Sequence, residues 1–259
     1  MKKKQIKQYI LYFSIFICLL TFVHYTARYK NGLAIKRVID GDTLELYSSK
    51  RVRLIGIDTP ETRRFNGVEW TEVDEPYSLE AKEFTENFCR SGTMRIEQDL
   101  QKQDKYNRIL AYCFINDKML NEELLRNGLA YLFFMQPNGK YAERLFKAHC
   151  QAVKSKKGIW SDKNNIITPK QMLKYTGKVK IICGKIENIA FSDIGYVLLW
   201  DVNNYIHVPA NIAFEKASYI RSLKGQNVCA EGKIKKRSGQ AFVRIFHTIN
   251  IFPQKAIEN

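Results

Sequence analysis

At 259 residues the chain can hold one large domain or two modest ones, with enough length for real hydrophobic cores. Its formal net charge of +16 and pI near 9.5 point to an anionic partner, nucleic acid or anionic lipid, rather than to a basic surface tuned only for solubility. Its six cysteines include no Cys-x-x-Cys pair and its four histidines are scattered, which excludes a zinc site of the usual spacing.

The N-terminus reads Met1-Lys2-Lys3-Lys4-Gln5-Ile6-Lys7, followed by an uncharged run from Gln8 to Ala27 that Arg28 and Lys30 close. About 20 residues at about 1.5 Å each just cross a hydrocarbon core about 30 Å thick. Residues 1–30 are therefore expected to be an uncleaved signal anchor, one transmembrane helix. The excess of lysine before the run puts the N-terminus in the cytoplasm and the rest of the chain outside it, anchored to the membrane. The rival reading is a signal peptide removed on secretion, against which the bulky Val23-His24-Tyr25-Thr26-Ala27 offers no small-x-small cleavage residues. Outside the cytoplasm disulfides can form. Cys183 and Cys229 fall in predicted strands, where a bridge and two buried thiols are both open.

Leu33 to Val38 and Leu44 to Tyr47 read as strands joined through the turn Asp40-Gly41-Asp42-Thr43. Arg51 to Ile57 alternates with a period of two, as a strand does. Val68 to Glu75 is acidic and loop-like. Ser78 to Cys89 reads as a helix capped by Ser78, with Leu79, Phe84 and Phe88 near one face. Thr93 to Leu100 and Ile109 to Ile115 return to strand patterning around the turn Asp104 to Arg108. Met119 to Asn127 is a helix stopped by Gly128, and Tyr141 to Lys157 is a basic helix ending at Gly158-Ile159-Trp160. Strands followed by packed helices predict an α+β domain on a small five-stranded OB-like barrel, spanning residues 31–162.

Residues 163–175 are polar, with Asn164-Asn165 and Thr168-Pro169, and read as a linker. Beyond it, strand candidates at Lys178 to Asn188, Tyr196 to Val202, Tyr205 to Pro209, Gln226 to Lys235 and Ala241 to Ile251 enclose one helical segment, Ile212 to Leu223. Five strands with a helix between the third and fourth predict a second, mainly β, OB-like domain over residues 176–253. Its basic run Lys233 to Arg237, with Arg244 and Lys185, interleaves with Tyr196, Trp200, Tyr205 and Phe242. Single-strand binders pair a basic groove with stacking aromatics in this way, though any one ring in a small barrel is more often core.

Two arginines, two aspartates and a glutamate of the first half fall at strand ends and turns. Guanidinium groups such as Arg53 and Arg108 hold anionic oxygens bidentately and keep their charge at neutral pH. Asp42 and Asp58 could give carboxylate oxygens to one hard cation, with Thr59 adding a carbonyl or hydroxyl. Glu61, stiffened by Pro60, could activate or orient water. Lys105 and Tyr106 suit a flanking phosphate or a structural turn. Taken singly, each aspartate reads as turn chemistry and each arginine as a surface ion pair; only the combination points to phosphodiester cleavage.

The motifs Val-Ile-Asp-Gly-Asp-Thr at 38–43, Arg53 through Thr62, Asp104-Lys105-Tyr106 with Arg108, and Gly158-Ile159-Trp160 resemble the staphylococcal nuclease (thermonuclease) family in order and spacing, over roughly Ile35 to Trp160. The resemblance implies a catalytic trio of Arg53, Glu61 and Arg108, calcium (Ca2+) ligands in Asp42, Asp58 and Thr59, and hydrolysis of DNA and RNA to 3′-phosphate ends. Asn107 stands where the family usually has glycine; asparagine tolerates a left-handed backbone, so the turn is expected to survive. The segment Tyr131 to Asn138 departs from the family's tyrosine-bearing base-binding loop, and no base contact is assigned there. The expected protein is a membrane-anchored, extracytoplasmic, calcium-dependent nuclease with no inferable protein partner. Its rival is a non-catalytic nucleic-acid-binding receptor of the cell envelope.

Overall fold

The structure, a computed structural model, describes residues 12–14, 16–17, 33–65, 67–73, 75–213 and 216–258. In chain order the first half contains β1 (Ile35–Asp40), β2 (Thr43–Leu46), β3 (Arg51–Leu54), β4 (Gly56–Asp58), β5 (Arg63–Phe65), β6 (Trp70–Glu72) and α1 (Ser78–Arg90). These are followed by β7 (Arg95–Glu97), β8 (Ile109–Ile115), β9 (Lys118–Met119), α2 (Leu120–Arg126), β10 (Tyr131–Phe133) and α3 (Ala142–Lys154). Strands β1, β2 and β3 form an antiparallel meander, β8 runs parallel to β3, and β7 closes the order β1-β2-β3-β8-β7. A parallel partner for β3 needs a long crossover, which α1 and β7 supply. The apolar run Ile-Leu-Ala-Tyr-Cys-Phe-Ile makes β8 an interior strand, and its last five residues are buried.

Helix α1 differs from its expected face. Tyr77 is the N-cap, in a left-handed conformation (φ 70°), while Ser78 is buried as the first helical residue. The buried stripe is Ser78, Ala81 and Thr85, and Leu79 is exposed. Small residues win this face because the turn at Gly41 packs directly on it; Thr85 Oγ1 donates to the Gly41 carbonyl at 2.7 Å. Phe84 and Phe88 still pack against the core from its edge. The acidic stretch read as a loop also carries structure, because β6 pairs antiparallel with β5 as a hairpin.

The second half contains β11 (Ile166–Ile167), β12 (Val179–Lys185), β13 (Asn188–Ser192), β14 (Gly195–Leu199), β15 (Asn204–Pro209), α4 (Ala210–Ala213), α5 (Ala217–Ser222), β16 (Asn227–Arg237), β17 (Gln240–Arg244) and β18 (Ile251–Pro253). Its sheet runs β11-β12-β16-β17-β15-β14-β13, with β15 parallel to β17 and β18 paired to β16. Both sheets thus have a strand meander joined to a later parallel strand, consistent with an OB-like fold. The first predicted strand stops early, and β13 forms a separate hairpin with β14. That hairpin needs Gly195 (φ 124°), where a Cβ would come within 2.1 Å of the Val208 carbonyl oxygen. Residues 163–175 are built into this half: β11 pairs with β12, and Ile167 and Met172 enter its core. Cys183 and Cys229, opposed across β12 and β16, form a disulfide.

The halves meet in a shared apolar cluster of Ala152, Val153, Ile159, Trp160, Ile181, Cys229 and Phe252. The expected transmembrane helix, part of the expected fold class, is corrected. Among the described residues no helix is long and apolar enough to cross a membrane. The longest of them, α1 and α3, have 13 residues each, or about 20 Å at 1.5 Å per residue. Most of the expected anchor, residues 1–11, 15 and 18–30, lies outside the described residues. The membrane-anchored location built on that helix is corrected with it, and the membrane partner has no support among the described residues.

Candidate active site

The site begins at the turn between β1 and β2. Gly41 is required there by proximity: a Cβ would stand 2.8 Å from both Ala81 Cβ and Thr59 Cγ2. This close approach buries the next side chain, Asp42, which is 5% exposed. Its Oδ1 accepts the Thr43 hydroxyl at 3.0 Å and its Oδ2 accepts the Thr59 N–H at 2.9 Å. The turn is thereby tied to the segment after β4, which brings Asp58, Thr59 and Glu61 beside it.

Arg53, on β3, points into the same place with its side chain 13% exposed. Its Nη1 lies 2.6 Å from Asp42 Oδ2, and its Nη2 donates to Asp58 Oδ1 at 2.6 Å. Nη1 also donates to the carbonyls of Ile57 (2.9 Å) and Leu54 (3.2 Å), which fix the plane of the guanidinium. Burial opposes its charge, but Asp42, Asp58, Asp40 and Glu61 outweigh it and raise its pKa.

Four carboxylates crowd this one cation. Burial, followed by the charge of Asp42, pushes Asp40 up to about 8. Burial likewise lifts Asp58 to about 7; Arg53 opposes the rise and Asp42 and Glu61 add to it. Glu61 is raised by burial and then by Asp42, with Arg53 pulling the other way. The Glu61 N–H donates to Glu75 Oε2 at 3.0 Å, and Glu75 Oε1 holds Arg64 at 2.6 Å. Asp40 and Glu75 were missed in the sequence. Asp40 was legible in the Asp-Gly-Asp spacing, whereas Glu75 lies 14 residues from Glu61 with no local signal.

Arg108 stands in a second turn. Asp104 Oδ1 accepts the N–H groups of Tyr106 (2.9 Å) and Arg108 (3.0 Å), and its Oδ2 accepts Arg108 Nε at 2.7 Å. Burial pushes the Asp104 pKa up, but these bonds outweigh it and the net shift is down. Asn107 takes the left-handed conformation (φ 61°) that its place in the turn demands. Arg53 is opposite Leu110 in the parallel β3–β8 register. Arg108 precedes Leu110 by two residues, in the turn that enters β8 beside β3. Asp104 holds Arg108 through Nε, and the Nη pair is the part of the guanidinium that could grip two oxygens of an anion. Lys105 Nζ and the Arg108 guanidinium flank the Tyr106 ring at 4.9 and 5.5 Å, and Tyr106 is 67% exposed.

The structure thus gathers Asp42, Arg53, Asp58, Thr59 and Glu61 into one cluster, adds Asp40, and sets Arg108, Lys105 and Tyr106 in a neighbouring turn. Among the described residues no three His, Cys, Asp or Glu side chains are close enough to ligate one ion as placed. Arg53 stands between Asp42 and Asp58. The donor chemistry fits a hard cation nonetheless, because such ions fill their shells with carbonyl and water oxygens beside one or two carboxylates.

A family model described as staphylococcal nuclease homologue matches residues 51–162. The thermonuclease of Staphylococcus hyicus is 44% identical over 129 residues, covering 49% of this chain and 73% of that protein. The thermonuclease of Staphylococcus intermedius is 42% identical over 129 residues, covering 49% of this chain and 74% of its own. Endonuclease YncB of Bacillus subtilis strain 168 is 34% identical over 135 residues, 50% of this chain and 62% of that protein.

Proposed function

Because the chain belongs to the staphylococcal nuclease family and is a nuclease, a hydrolase acting on nucleic acid, we propose that it is calcium-dependent and cuts both DNA and RNA to 3′-phosphate products. In this reading Arg53, Glu61 and Arg108 are catalytic. Asp42, Asp58 and Thr59, with Asp40 beside them, hold the cation, and Lys105 and Tyr106 meet a flanking phosphate. Residues 31–162 form the catalytic domain, and residues 176–253 an OB-like nucleic-acid-binding domain joined through 163–175.

The observation that carries the reading is the crowding of four carboxylates around the single guanidinium of Arg53. Such an excess of negative charge is costly unless a proton or a cation relieves it. A bound calcium ion would supply positive charge and a fixed point for phosphate oxygen. Arg53 and Arg108 then stabilise the charge that grows on the phosphoryl oxygens, the contribution usually largest in such reactions. Glu61, its pKa raised, accepts a proton from water as the water oxygen bonds to phosphorus and the bond to the 5′ oxygen breaks.

The test is release of acid-soluble nucleotides from DNA and from RNA, with calcium and with excess chelator. Products should become ligatable only after the 3′-phosphate is removed and the 5′-hydroxyl is phosphorylated. Full activity in chelator would sink the calcium assignment, and 5′-phosphate products would sink the stated direction of cleavage.

A further inference from the structure

The sheet of the second half turns one face inward and one outward. Tyr205, Phe242 and Lys235 stand side by side on β15, β17 and β16. Their chain neighbours Ile206, Val243 and Ile234 fill the core. Strand alternation therefore puts the first three on the outer face. The Tyr205 and Phe242 rings are stacked there, with centroids 5.2 Å apart and planes 5° from parallel. Tyr196 and Trp200, equal candidates by sequence, are instead core residues at 6% and 4% exposure.

Lys233, Lys235, Arg237 and Arg244 are exposed on this same face. No aspartate or glutamate occupies an outward register position on β14, β15, β17 or the exposed end of β16. His207, beside Arg244 in the β15–β17 register, has its pKa held below the ordinary value first by burial and then by the charges of Arg244 and Lys235, with the Ile194 carbonyl opposing. The face also leads toward the catalytic half. The Arg244 guanidinium lies 5.6 Å over the Phe246 ring, and Phe246 meets Phe133 edge to face at 6.0 Å. Phe133 pairs with Gly56 on β4, the strand that ends in Asp58.

We propose that this outer face is a second nucleic-acid-binding surface, which takes single-stranded polynucleotide and leads it toward β4. Bases stack on the Tyr205–Phe242 platform, and phosphates run along Lys233, Lys235, Arg237 and Arg244. Flat aromatic surface beside mobile cations suits a flexible strand, whose bases are free to stack, better than a duplex, whose bases are already paired. The inference rests on the reading of residues 176–253 as a nucleic-acid-binding domain and deepens it by naming the face and the form of the polymer; none of these six side chains belongs to the cluster around Arg53.

The full chain is titrated by fluorescence anisotropy with phosphorothioate oligothymidylates, which resist cleavage, of about 25 and about 4 nucleotides. The Lys235→Glu/Arg244→Glu double variant should bind the long oligonucleotide about tenfold or more weakly. Its plot of log affinity against log salt should flatten by roughly 1.4, about 0.7 for each lost phosphate contact on a single strand. Phe242→Leu, which keeps apolar bulk but removes the ring, should weaken binding about tenfold with little change of slope. Thermal midpoints check folding, and Arg244→Gln, at an exposed position, gives a milder variant should the double one fail to fold. Wild-type affinity and slope in the folded charge variants would overturn the proposal. So would an equal loss on the short oligonucleotide, which would place the effect at the catalytic centre. Loss confined to phosphatidylglycerol vesicles, with oligonucleotide binding intact, would overturn it in favour of a lipid contact.

Discussion

His149 Nε2 lies 2.9 Å from Glu231 Oε2, with both side chains 0% exposed, joining α3 of the first half to β16 of the second. The other oxygen of Glu231 accepts the Leu132 N–H at 3.0 Å, and Asn250 Nδ2 donates to the Leu132 carbonyl at 2.7 Å. The second half therefore satisfies both backbone groups of a residue on β10, and β10 pairs with the strand that carries Asp58. Every proposed catalytic residue lies in the first half, but the strand beside Asp58 is held from the second.

Removing one partner of a buried polar contact leaves the other group and the Leu132 N–H unsatisfied, at a cost of about 1–3 kcal/mol for each stranded group. Glu231→Ala should lower stability by that order, read as a drop in the urea midpoint. A chain ending after Pro169 should lose more, since it also uncovers Trp160, which packs edge to face on His149 with centroids 5.1 Å apart. Tryptophan fluorescence of the truncated chain should shift to the red. An unshifted spectrum with an unchanged midpoint would mean that the first half stands alone.

Arg53→Lys and Arg108→Lys should each lower turnover about 10²- to 10³-fold, the loss expected when a donor to transition-state charge is removed. Lysine keeps the charge but cannot make the planar double contact. Michaelis constants should change far less. Near-normal kcat in either folded variant would remove that arginine from the catalytic role.

Asp42→Asn should raise the calcium concentration needed for half-maximal activity, because a neutral amide is a weaker ligand for a hard cation. The backbone bond from Thr59 can still be accepted by the amide oxygen, so the turn should persist and the thermal midpoint should fall only modestly. A calcium titration of both proteins decides the point, and coincident curves would exclude Asp42 as a ligand.

Acid stability should depend on Asp99. Burial pushes its pKa up, but the N–H groups of Lys140, Gly139 and Leu100 and the Tyr112 hydroxyl outweigh it, so the net shift is down. A carboxylate with a depressed folded pKa contributes stability that is present above its unfolded value, about 3.9, and lost as pH falls through the folded one. Asp99→Asn should therefore lower the thermal midpoint at pH 7 and have much less effect near pH 2. A pH-independent penalty would assign the loss to packing.

What the amino-acid sequence determined by itself was local chemistry. Asn107 supplies a left-handed turn, the Asp-Gly-Asp spacing supplies two carboxylates at a tight turn, and the apolar run of β8 supplies an interior strand. Each depends on residues a few positions apart, so each could be read along the chain. The order and spacing of the motifs likewise carried the resemblance to the family.

Tertiary structure decided what depends on the approach of distant segments. The buried face of α1 is set by the Gly41 turn packing on it, not by the helix's own apolar residues. Glu75 reaches Glu61 through a hairpin that an acidic composition disguises. Tyr205 and Phe242 face outward while Tyr196 and Trp200 face inward, because a strand's two faces are told apart only once its neighbours are in register. The contact of Glu231 with Leu132 spans 99 residues. Packing two sheets against one helix brings those groups together, and burial then makes their pairing obligatory.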